Sequence, residues 1–149
     1  MTAALHLARL DDLDRIAAMV SASHTEAGLQ GTDEARRDAL RPLLDGIPHG
    51  CAYLIGPARA PLGYVIVTFG WSIEFGGLEG YIDEIWLRPA VRGRGIASEV
   101  LTELPKALAA AGMKALHLEV GHQNERAQSL YSRARFEPRP DFMLMSKRL

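Results

Sequence analysis

Apolar positions along the chain follow two spacings that alternate from segment to segment. A spacing of two is typical of half-buried strands, and a spacing of three or four is typical of amphipathic helices. Residues 4–10 alternate as a short strand does. The helix predicted next has an apolar face made of Leu13, Ile16, Ala17 and Val20. Thr32 or Asp33 can cap a second helix, which should end or bend near Arg41 because Pro42 follows.

Three β-rich runs occupy the middle of the chain, at residues 51–55, 62–69 and 81–87. Glycine and proline residues separate the runs, as they do in turns between strands. We expect the second run to continue to Glu74, and Pro89 to close the third run because proline cannot donate to a strand ladder. The three runs therefore predict an antiparallel meander.

The second half of the chain predicts helices that alternate with further strands. One helix has apolar residues at helical spacing, namely Ile96, Val100, Leu101, Leu104 and Leu108. It should kink at Pro105 and stop at Gly112. Residues 115–120 predict another strand, Asn124 can cap a helix, and residues 142–147 predict a last strand. The fold class is therefore α/β.

A crossover of strand, helix and strand is predicted between residues 81 and 120. Such a crossover places its two strands parallel in one sheet, beside the antiparallel strands of the meander. Ligands of open sheets with parallel strands bind beyond the carboxyl ends of those strands. The loop at residues 91–97 lies at that end and is the first candidate for a binding site.

The size and charge of the chain limit its class. It has 149 residues, of which 48% are apolar, and we expect a single domain over residues 1–149. Lysine and arginine number 17 against 18 acidic residues, so no overall basic field would attract nucleic acid. No apolar run approaches the ~20 residues of a membrane helix, and the first residues lack a secretory leader pattern. We therefore expect a cytoplasmic protein that does not enter the membrane.

One cysteine and five histidines are present. Cys51 lies among apolar residues, which favours a buried, unreactive thiol over a nucleophile. The histidines show no spacing typical of metal ligands. We therefore predict no metal cofactor.

Gly93 and Gly95 precede a predicted helix, and this arrangement suits an anion such as a pyrophosphate. Glycines let the backbone approach closely, and the first amides of the helix point at the same place. The dinucleotide-binding pattern needs a third glycine where this chain has Ser98, and the lysine of a P-loop is absent. On these residues alone, a plain tight turn is an equally good interpretation.

A longer stretch around this loop is more specific. It contains Arg92, Gly95 and Ala97, preceded by residues 85–89. A second segment downstream comprises Leu118, Glu119, Val120, Asn124, Ala127, Leu130, Tyr131 and Phe136. The two segments, in this order, resemble the GNAT acetyltransferase superfamily. The resemblance implies one GNAT-like domain, with a mostly antiparallel sheet that has a central parallel pair and flanking helices.

The resemblance implies how acetyl-CoA would bind as a co-substrate. Loop amides hold its pyrophosphate, and the backbone of a strand pairs with its pantetheine arm. The implied coenzyme-binding residues are Ile85, Trp86, Leu87, Arg92, Gly93, Arg94, Gly95, Ile96, Ala97, Ser98 and Asn124. The amide of Leu87 would polarise the thioester carbonyl. Asn124 is equally well explained as an ordinary helix cap.

Three residues are candidates for proton transfer. Tyr131 lies about two helical turns beyond Asn124, and its hydroxyl could protonate the departing CoA thiolate. A tyrosine that only packs its ring against the sheet is the simpler alternative. Glu84 and Glu119 are equally good candidates for the base that takes the amine proton. Either could instead be a solvated carboxylate at the end of a strand.

Acidic and basic residues separate along the chain near the loop. Residues 71–87 contain four acidic residues and no lysine or arginine, and three arginines follow at 88, 92 and 94. This split fits a cationic amine beside a phosphate-bearing coenzyme, although a polar turn next to a solvated loop explains it nearly as well. The walls of the acceptor pocket would be Trp71, Phe75 and Tyr81.

The sequence favours an N-acetyltransferase that moves an acetyl group from acetyl-CoA to a primary amine of a small molecule or peptide. We expect direct attack, because no activated nucleophile is evident. The alternative is a sensor or regulatory domain that binds acyl-CoA without turnover. The missing third glycine disfavours a dinucleotide-binding domain. No motif identifies the acceptor or the oligomeric state, although a homodimer would suit the resemblance.

Overall fold

A computed structural model describes residues 4–149. The strands are β1 (Leu5–Leu7), β2 (Gly50–Ile55), β3 (Gly63–Ser72), β4 (Gly77–Leu87) and β5 (Ala115–Leu118). The helices are α1 (Leu13–Glu26), α2 (Asp33–Asp45), α3 (Ile96–Ala110) and α4 (Glu125–Arg133). Short 3-10 turns at Leu10–Asp12 and Pro89–Val91 precede α1 and α3.

The chain divides into two compact units. The first ends at Glu119 and contains the five strands with α1, α2 and α3. The second runs from Val120 to Leu149 and contains α4. A single domain over residues 1–149 stays a prediction.

The first unit is built on one sheet with strand order β1-β2-β3-β4-β5. Neighbouring strands are antiparallel from β1 to β4, and β5 lies parallel to β4. The α/β fold class, the antiparallel meander and the parallel pair are thus confirmed. The parallel pairing is short, from Glu79 opposite Ala115 to Ile82 opposite Leu118. As a result, β4 extends beyond the end of β5.

A β-bulge interrupts β4 near its middle. In the pairing with β3, Ile66 lies opposite Glu84 and Val67 lies opposite Ile82, so Asp83 is the extra residue. Side chains alternate between the two faces of a strand, and an extra residue reverses which of them share a face. Glu84 consequently shares the sheet face of its partner Ile66.

Helices α1 and α2 cover that face of the sheet. Their buried side chains form one apolar cluster with β2 and β3, which includes Ile16, Met19, Leu40, Leu44, Leu54, Tyr64 and Ile66. The apolar face predicted for α1 is buried at every position, namely Leu13, Ile16, Ala17 and Val20. Burial of a large aliphatic side chain contributes roughly 1.5–3 kcal/mol, so this cluster fixes α1 firmly against the sheet.

Two helices continue through a proline. Helix α2 runs to Asp45, so it does not end near Arg41, which was one of the two outcomes predicted for Pro42. Pro42 removes one helical hydrogen bond, but Leu44 beyond it is buried in the core. Packing of the last turn therefore outweighs the local preference. Helix α3 likewise contains Pro105 and continues to Ala110.

Residues 142–147 form no strand, so the predicted last strand was wrong. The apolar side chains in this segment are 69–85% exposed, and they are Phe142, Met143, Leu144 and Met145. A strand is held by hydrogen bonds to a neighbouring strand. Within the described residues, the second unit has no other strand that could provide them.

Candidate active site

The second half of β4 has a neighbouring strand on one side only. Its partner there is β3, whereas β5 pairs with β4 no further than Ile82. The amide of Arg88 donates to the carbonyl of Leu62 at 2.8 Å, so this amide faces the β3 side. Hydrogen bonds of an antiparallel strand alternate in direction, and the amides of Ile85 and Leu87 therefore point away from β3. An extended ligand can pair with this edge.

The loop after β4 leads into α3 through two glycines. Gly93 and Gly95 have φ angles of 77° and 82°, a conformation that other residues rarely adopt. A Cβ atom on either glycine would meet nothing within 4 Å, so both positions border open space. Gly95 is the N-cap of α3 and offers no side-chain acceptor to the first amides of the helix. These amides and the helix dipole form a cradle that fits a pyrophosphate.

The other predicted loop residues differ in exposure. Ile96 is buried, whereas Ala97 is half-buried. Arg94 and Ser98 are exposed. Ile96 therefore anchors the first turn of α3, and Arg94 is free to face a phosphate.

Arg92 ties the loop to β4 and α1. Its Nε donates to the carbonyl of Leu87 at 3.0 Å, and its two terminal nitrogens each lie 2.9 Å from a carboxylate oxygen of Glu26. The indole Nε1 of Trp86 also donates to Glu26, at 3.3 Å. The hydrogen bond from Arg92 holds the pKa of the Glu26 carboxyl below its usual value. Arg92 thus braces the loop through its side chain.

Glu84 is held by two hydrogen bonds on the face that α1 covers. Its Oε1 accepts from the hydroxyl of Tyr64 at 2.7 Å, and its Oε2 lies 2.8 Å from Nε2 of His24. The Tyr64 side chain is fully buried, and burial, together with the Glu84 carboxylate, raises the pKa of its phenol. Tyr64 therefore stays protonated and donates. The Glu84 side chain keeps 26% of its surface exposed.

His24 is in turn held from α2. Nε of Arg36 donates to Nδ1 of His24 at 3.3 Å. The guanidinium of Arg36 is fixed by an ion pair with Asp33 at 2.9 Å. Asp33 also accepts from the hydroxyl of Ser21 at 2.9 Å. A chain of polar contacts thus runs from the Glu84 carboxylate into α1 and α2, through His24, Arg36, Asp33 and Ser21.

Asp83 and Glu119 add two carboxylates near Glu84. Partial burial, and then the charges of Glu84 and Glu119, raise the pKa of Asp83. Glu119 directly follows β5 and its side chain is exposed. The two predicted base candidates, which are 35 positions apart in the sequence, therefore both act on Asp83. Crowded like charges of this kind favour a bound cation.

An aromatic cluster lies on the first half of β4 and its neighbours. The ring of His117 on β5 contacts Phe75 and Tyr81, with centroid distances of 5.2 Å and 4.8 Å. Nε2 of His117 lies 2.8 Å from Oε1 of Glu79. Trp71 is 71% exposed. His117 thus brings together Phe75 and Tyr81, which are two of the three predicted wall residues. The sequence interpretation did not single out His117.

The second unit carries two predicted site residues. The side chain of Asn124 accepts a hydrogen bond from the amide of Ala127 at 3.1 Å, so its role as helix cap is confirmed. Tyr131 lies on α4, and its ring meets Phe136 edge to face at 6.0 Å. Burial raises the pKa of Tyr131, so the phenol stays protonated at neutral pH.

Cys51 lies on β2, opposite Val67 of β3. Burial raises the pKa of its thiol. A thiol with a raised pKa is protonated at neutral pH and is a weak nucleophile. This environment is that of a structural cysteine.

Metal-binding and membrane-spanning features were sought within residues 4–149. No group of three or more histidine, cysteine, aspartate or glutamate side chains there is arranged to hold a metal ion. In the same part of the chain, no helix combines the length and the apolar character needed to cross a membrane.

The sequence interpretation missed His24, Arg36 and Tyr64. His24 follows Val20 by one helical turn, so it continues the apolar face of α1. A polar residue on an apolar helix face was the signal that could have found it. Tyr64 gives no such signal, because a tyrosine within a buried strand is common.

Comparisons with known proteins agree on one family. Residues 13–136 match the Acetyltransferase (GNAT) family. The chain is 32% identical over 77 residues to Acetyltransferase SG1711 of Sodalis glossinidius (strain morsitans), which is 50% of this chain and 54% of that protein. It is 31% identical over 70 residues to the thialysine N-epsilon-acetyltransferase of Bos taurus, which is 47% of this chain and 41% of that protein. These matches span about half the length of the curated relatives.

A solved structure extends the similarity over nearly the whole chain. The integron cassette protein HFX_CASS3, from the mobile metagenome of Cole Harbour Salt Marsh, is 30% identical with a TM-score of 0.83. The alignment covers 97% of this chain and 90% of that structure. With its strand edge, glycine cradle and family match over residues 13–136, the chain belongs to the GNAT acetyltransferase family.

Proposed function

We propose that this chain is an N-acetyltransferase that transfers an acetyl group from acetyl-CoA to a primary amine. The proposal rests on the arrangement along β4. The Glu84 carboxylate is followed directly by the amides of Ile85 and Leu87, which point away from β3, and then by the cradle at Gly95. One strand and its loop thus offer a proton acceptor, a pairing edge and an anion site in that order. Membership of the family supports an acetyl group as the cargo.

Backbone groups would form the donor site. The first amides of α3 would hold the pyrophosphate, and the edge at Ile85 and Leu87 would pair with the pantetheine arm. When bound, acetyl-CoA supplies an acetyl group that is activated as a thioester. The amide of Leu87 would donate to the thioester carbonyl and stabilise the negative charge that develops on its oxygen. Arg92 supports this geometry by fixing the loop to the carbonyl of Leu87.

Glu84 is the proposed acceptor of the amine proton. The attacking nitrogen needs a free electron pair, so its proton must pass to a base before or during attack. Glu84 lies next to the free strand edge, and each of its oxygens is already oriented by a donor. Glu119 is the alternative base, since its exposed carboxylate also lies near Asp83.

Tyr131 is the proposed proton donor to the CoA thiolate. A thiolate that leaves in a site sheltered from water benefits from a positioned acid. The raised pKa of Tyr131 keeps its hydroxyl protonated at neutral pH, which is the state that an acid needs. Asn124 would contact the coenzyme while it caps α4.

The acceptor would carry a positive charge before it reacts. Asp83, Glu84 and Glu119 form an acidic group, and no arginine or lysine bonds directly to any of them within the described residues. Such a group attracts an ammonium and raises its local concentration. The name of one relative, thialysine N-epsilon-acetyltransferase, also specifies an epsilon nitrogen as the acceptor.

The decisive experiment offers the purified chain acetyl-CoA and a panel of amines, with release of free CoA thiol as the readout. The panel should contain diamines, amino acids, basic peptides and neutral amines of similar size. We expect thiol release with cationic primary amines. If the chain binds acetyl-CoA and releases no thiol with any amine, a non-catalytic acyl-CoA sensor replaces the proposal.

A further inference from the structure

The hydrogen bonds around His24 fit one tautomer of the neutral imidazole. A guanidinium N–H can only donate, so Nδ1 of His24, which accepts from Arg36, carries no proton. The carboxylate of Glu84 can only accept, so Nε2 of His24 carries the proton. His24 is therefore the neutral Nε2–H tautomer. A second proton on Nδ1 would face the donor of Arg36.

We propose that His24 is a positioning residue for Glu84, and that Arg36 sets its tautomer. This inference rests on the proposed function, in which Glu84 takes the proton of the amine. His24 and Tyr64 each donate to a different oxygen of Glu84, so the plane of the carboxylate is fixed. Both donors are neutral in this tautomer, so they orient the carboxylate without adding a positive charge beside it.

The same geometry excludes His24 as the base that takes the amine proton. Its Nε2 already carries a proton, and its Nδ1 is covered by Arg36. Neither nitrogen has a free electron pair for the proton of an amine. Asp83, next to Glu84 in the sequence, and Glu119 are both acidic, and Arg36 meets His24 on its Nδ1 side. His24 thus acts through Glu84.

The tautomer can be measured without an enzyme assay. Long-range nitrogen–proton NMR spectra of the full chain should show His24 with an unprotonated Nδ1 and a protonated Nε2. His24→Gln identifies the signals by their loss. Arg36→Met should abolish the pattern, whereas Arg37→Met should keep it, because Arg37 on the same helix pairs with the exposed Asp14. A doubly protonated or Nδ1–H imidazole in the wild type would overturn the inference.

Two substitutions of His24 distinguish positioning from catalysis. His24→Leu removes the donor, whereas His24→Gln places an amide N–H near the position of Nε2. We expect His24→Leu to lower kcat roughly tenfold with the KM for acetyl-CoA nearly unchanged, and His24→Gln to recover most of that loss. The idea fails if the glutamine variant is as impaired as the leucine variant, or if the leucine variant is fully active.

Arg36→Met provides a second kinetic test if His24→Leu does not fold. It should lower kcat severalfold, and Arg37→Met should match the wild type. Equal activity of the two arginine variants would contradict the role of Arg36. A wild-type chain without any acetyl transfer overturns the proposed function. A wrong tautomer in an active wild type overturns only this inference.

Discussion

At the scale of single residues, Glu84 and Glu119 differ in how firmly they are held. Both oxygens of Glu84 accept hydrogen bonds, from Tyr64 and His24. The side chain of Glu119 is exposed, and no donor comparable to Tyr64 or His24 is seen to hold it within the described residues. Ordering a free glutamate side chain costs up to about 2 kcal/mol of conformational entropy. The side chain of Glu84 is already ordered by its hydrogen bonds in the folded chain. This favours Glu84 as the base.

Glu84→Gln should lower kcat by about 100-fold or more, because the amide keeps the shape of the side chain and cannot accept a proton. Steady-state kinetics with the best amine of the panel measures the effect. The matched control is Glu119→Gln, for which we expect a loss of less than about fivefold. A larger loss in the Glu119 variant would exchange the two roles.

Tyr131→Phe should lower kcat by at least about tenfold while the affinity for acetyl-CoA stays nearly the same. The ring still packs, and only the hydroxyl group, with the proton that it would donate, is lost. Turnover and equilibrium binding of acetyl-CoA measure the two quantities separately. Unchanged turnover would remove Tyr131 from the mechanism and leave it a packing residue.

Cys51→Ala should retain full activity, because burial raises the pKa of the thiol and no covalent intermediate is proposed. Turnover is compared with the wild type, and circular dichroism checks that the fold is kept. Loss of turnover in a folded variant would argue for a covalent route and against direct attack.

At the scale of elements, β4 positions both the Glu84 side chain and the backbone edge proposed for the donor. Its bulge at Asp83 inserts one residue, and this reverses which later side chains face α1. Glu84 thereby meets His24 and Tyr64. Because β5 stops pairing at Ile82, the backbone after the bulge is left with an open edge. The orientation of Glu84, the proposed base, thus depends on the bulge, and the open edge proposed for the donor depends on where β5 ends.

Gly95→Ala tests the cradle at the start of α3. The φ angle of 82° would cost a residue with a Cβ about 1–2 kcal/mol, although the position itself borders open space. We expect a folded variant that binds acetyl-CoA at least about tenfold more weakly. Calorimetric titration measures the affinity.

The control for this variant is Gly28→Ala, which has a φ angle of 70° and also borders open space, but lies just after α1. It should show a similar loss of thermal stability and an unchanged affinity for acetyl-CoA. Equal affinity losses in both variants would assign the effect to general destabilisation.

At the scale of the whole molecule, the crowded carboxylates affect stability. The pKa of Asp83 lies above its ordinary value of 3.8 in the folded chain. The folded state therefore binds this proton more tightly than the unfolded state does. The raised pKa of Asp83 therefore lowers the free energy of unfolding at high pH. This loss is absent below the ordinary pKa of an aspartate and grows as the pH rises towards the pKa of Asp83 in the folded chain. Above that pKa the loss is constant. A bound cationic amine would relieve it.

Asp83→Asn should therefore raise Tm at pH 7, and the gain should shrink as the pH falls towards about 4. Thermal unfolding by circular dichroism at both pH values measures the difference. A gain of equal size at both pH values would assign the effect to packing instead of charge.

Much of the fold follows from local patterns. The apolar spacing of α1 and α3 and the three runs of the meander are properties of short segments, and the structure has them all. The prediction failed where a distant contact decides. Helix α2 passes Pro42 because Leu44 is buried in the core. Residues 142–147 form no strand, and their apolar side chains are exposed.

The sequence by itself determined the family motifs, the glycine cradle and the two candidate bases. A positive φ or a motif spacing is a property of neighbouring residues, so it can be read along the chain. Tertiary structure alone decided how Glu84 is held, since His24 lies 60 positions and Tyr64 lies 20 positions away in sequence. These side chains meet only because apolar burial fixes α1 on the sheet and the bulge turns Glu84 towards it. Hydrogen bonds between such distant residues depend on packing, which no local pattern encodes.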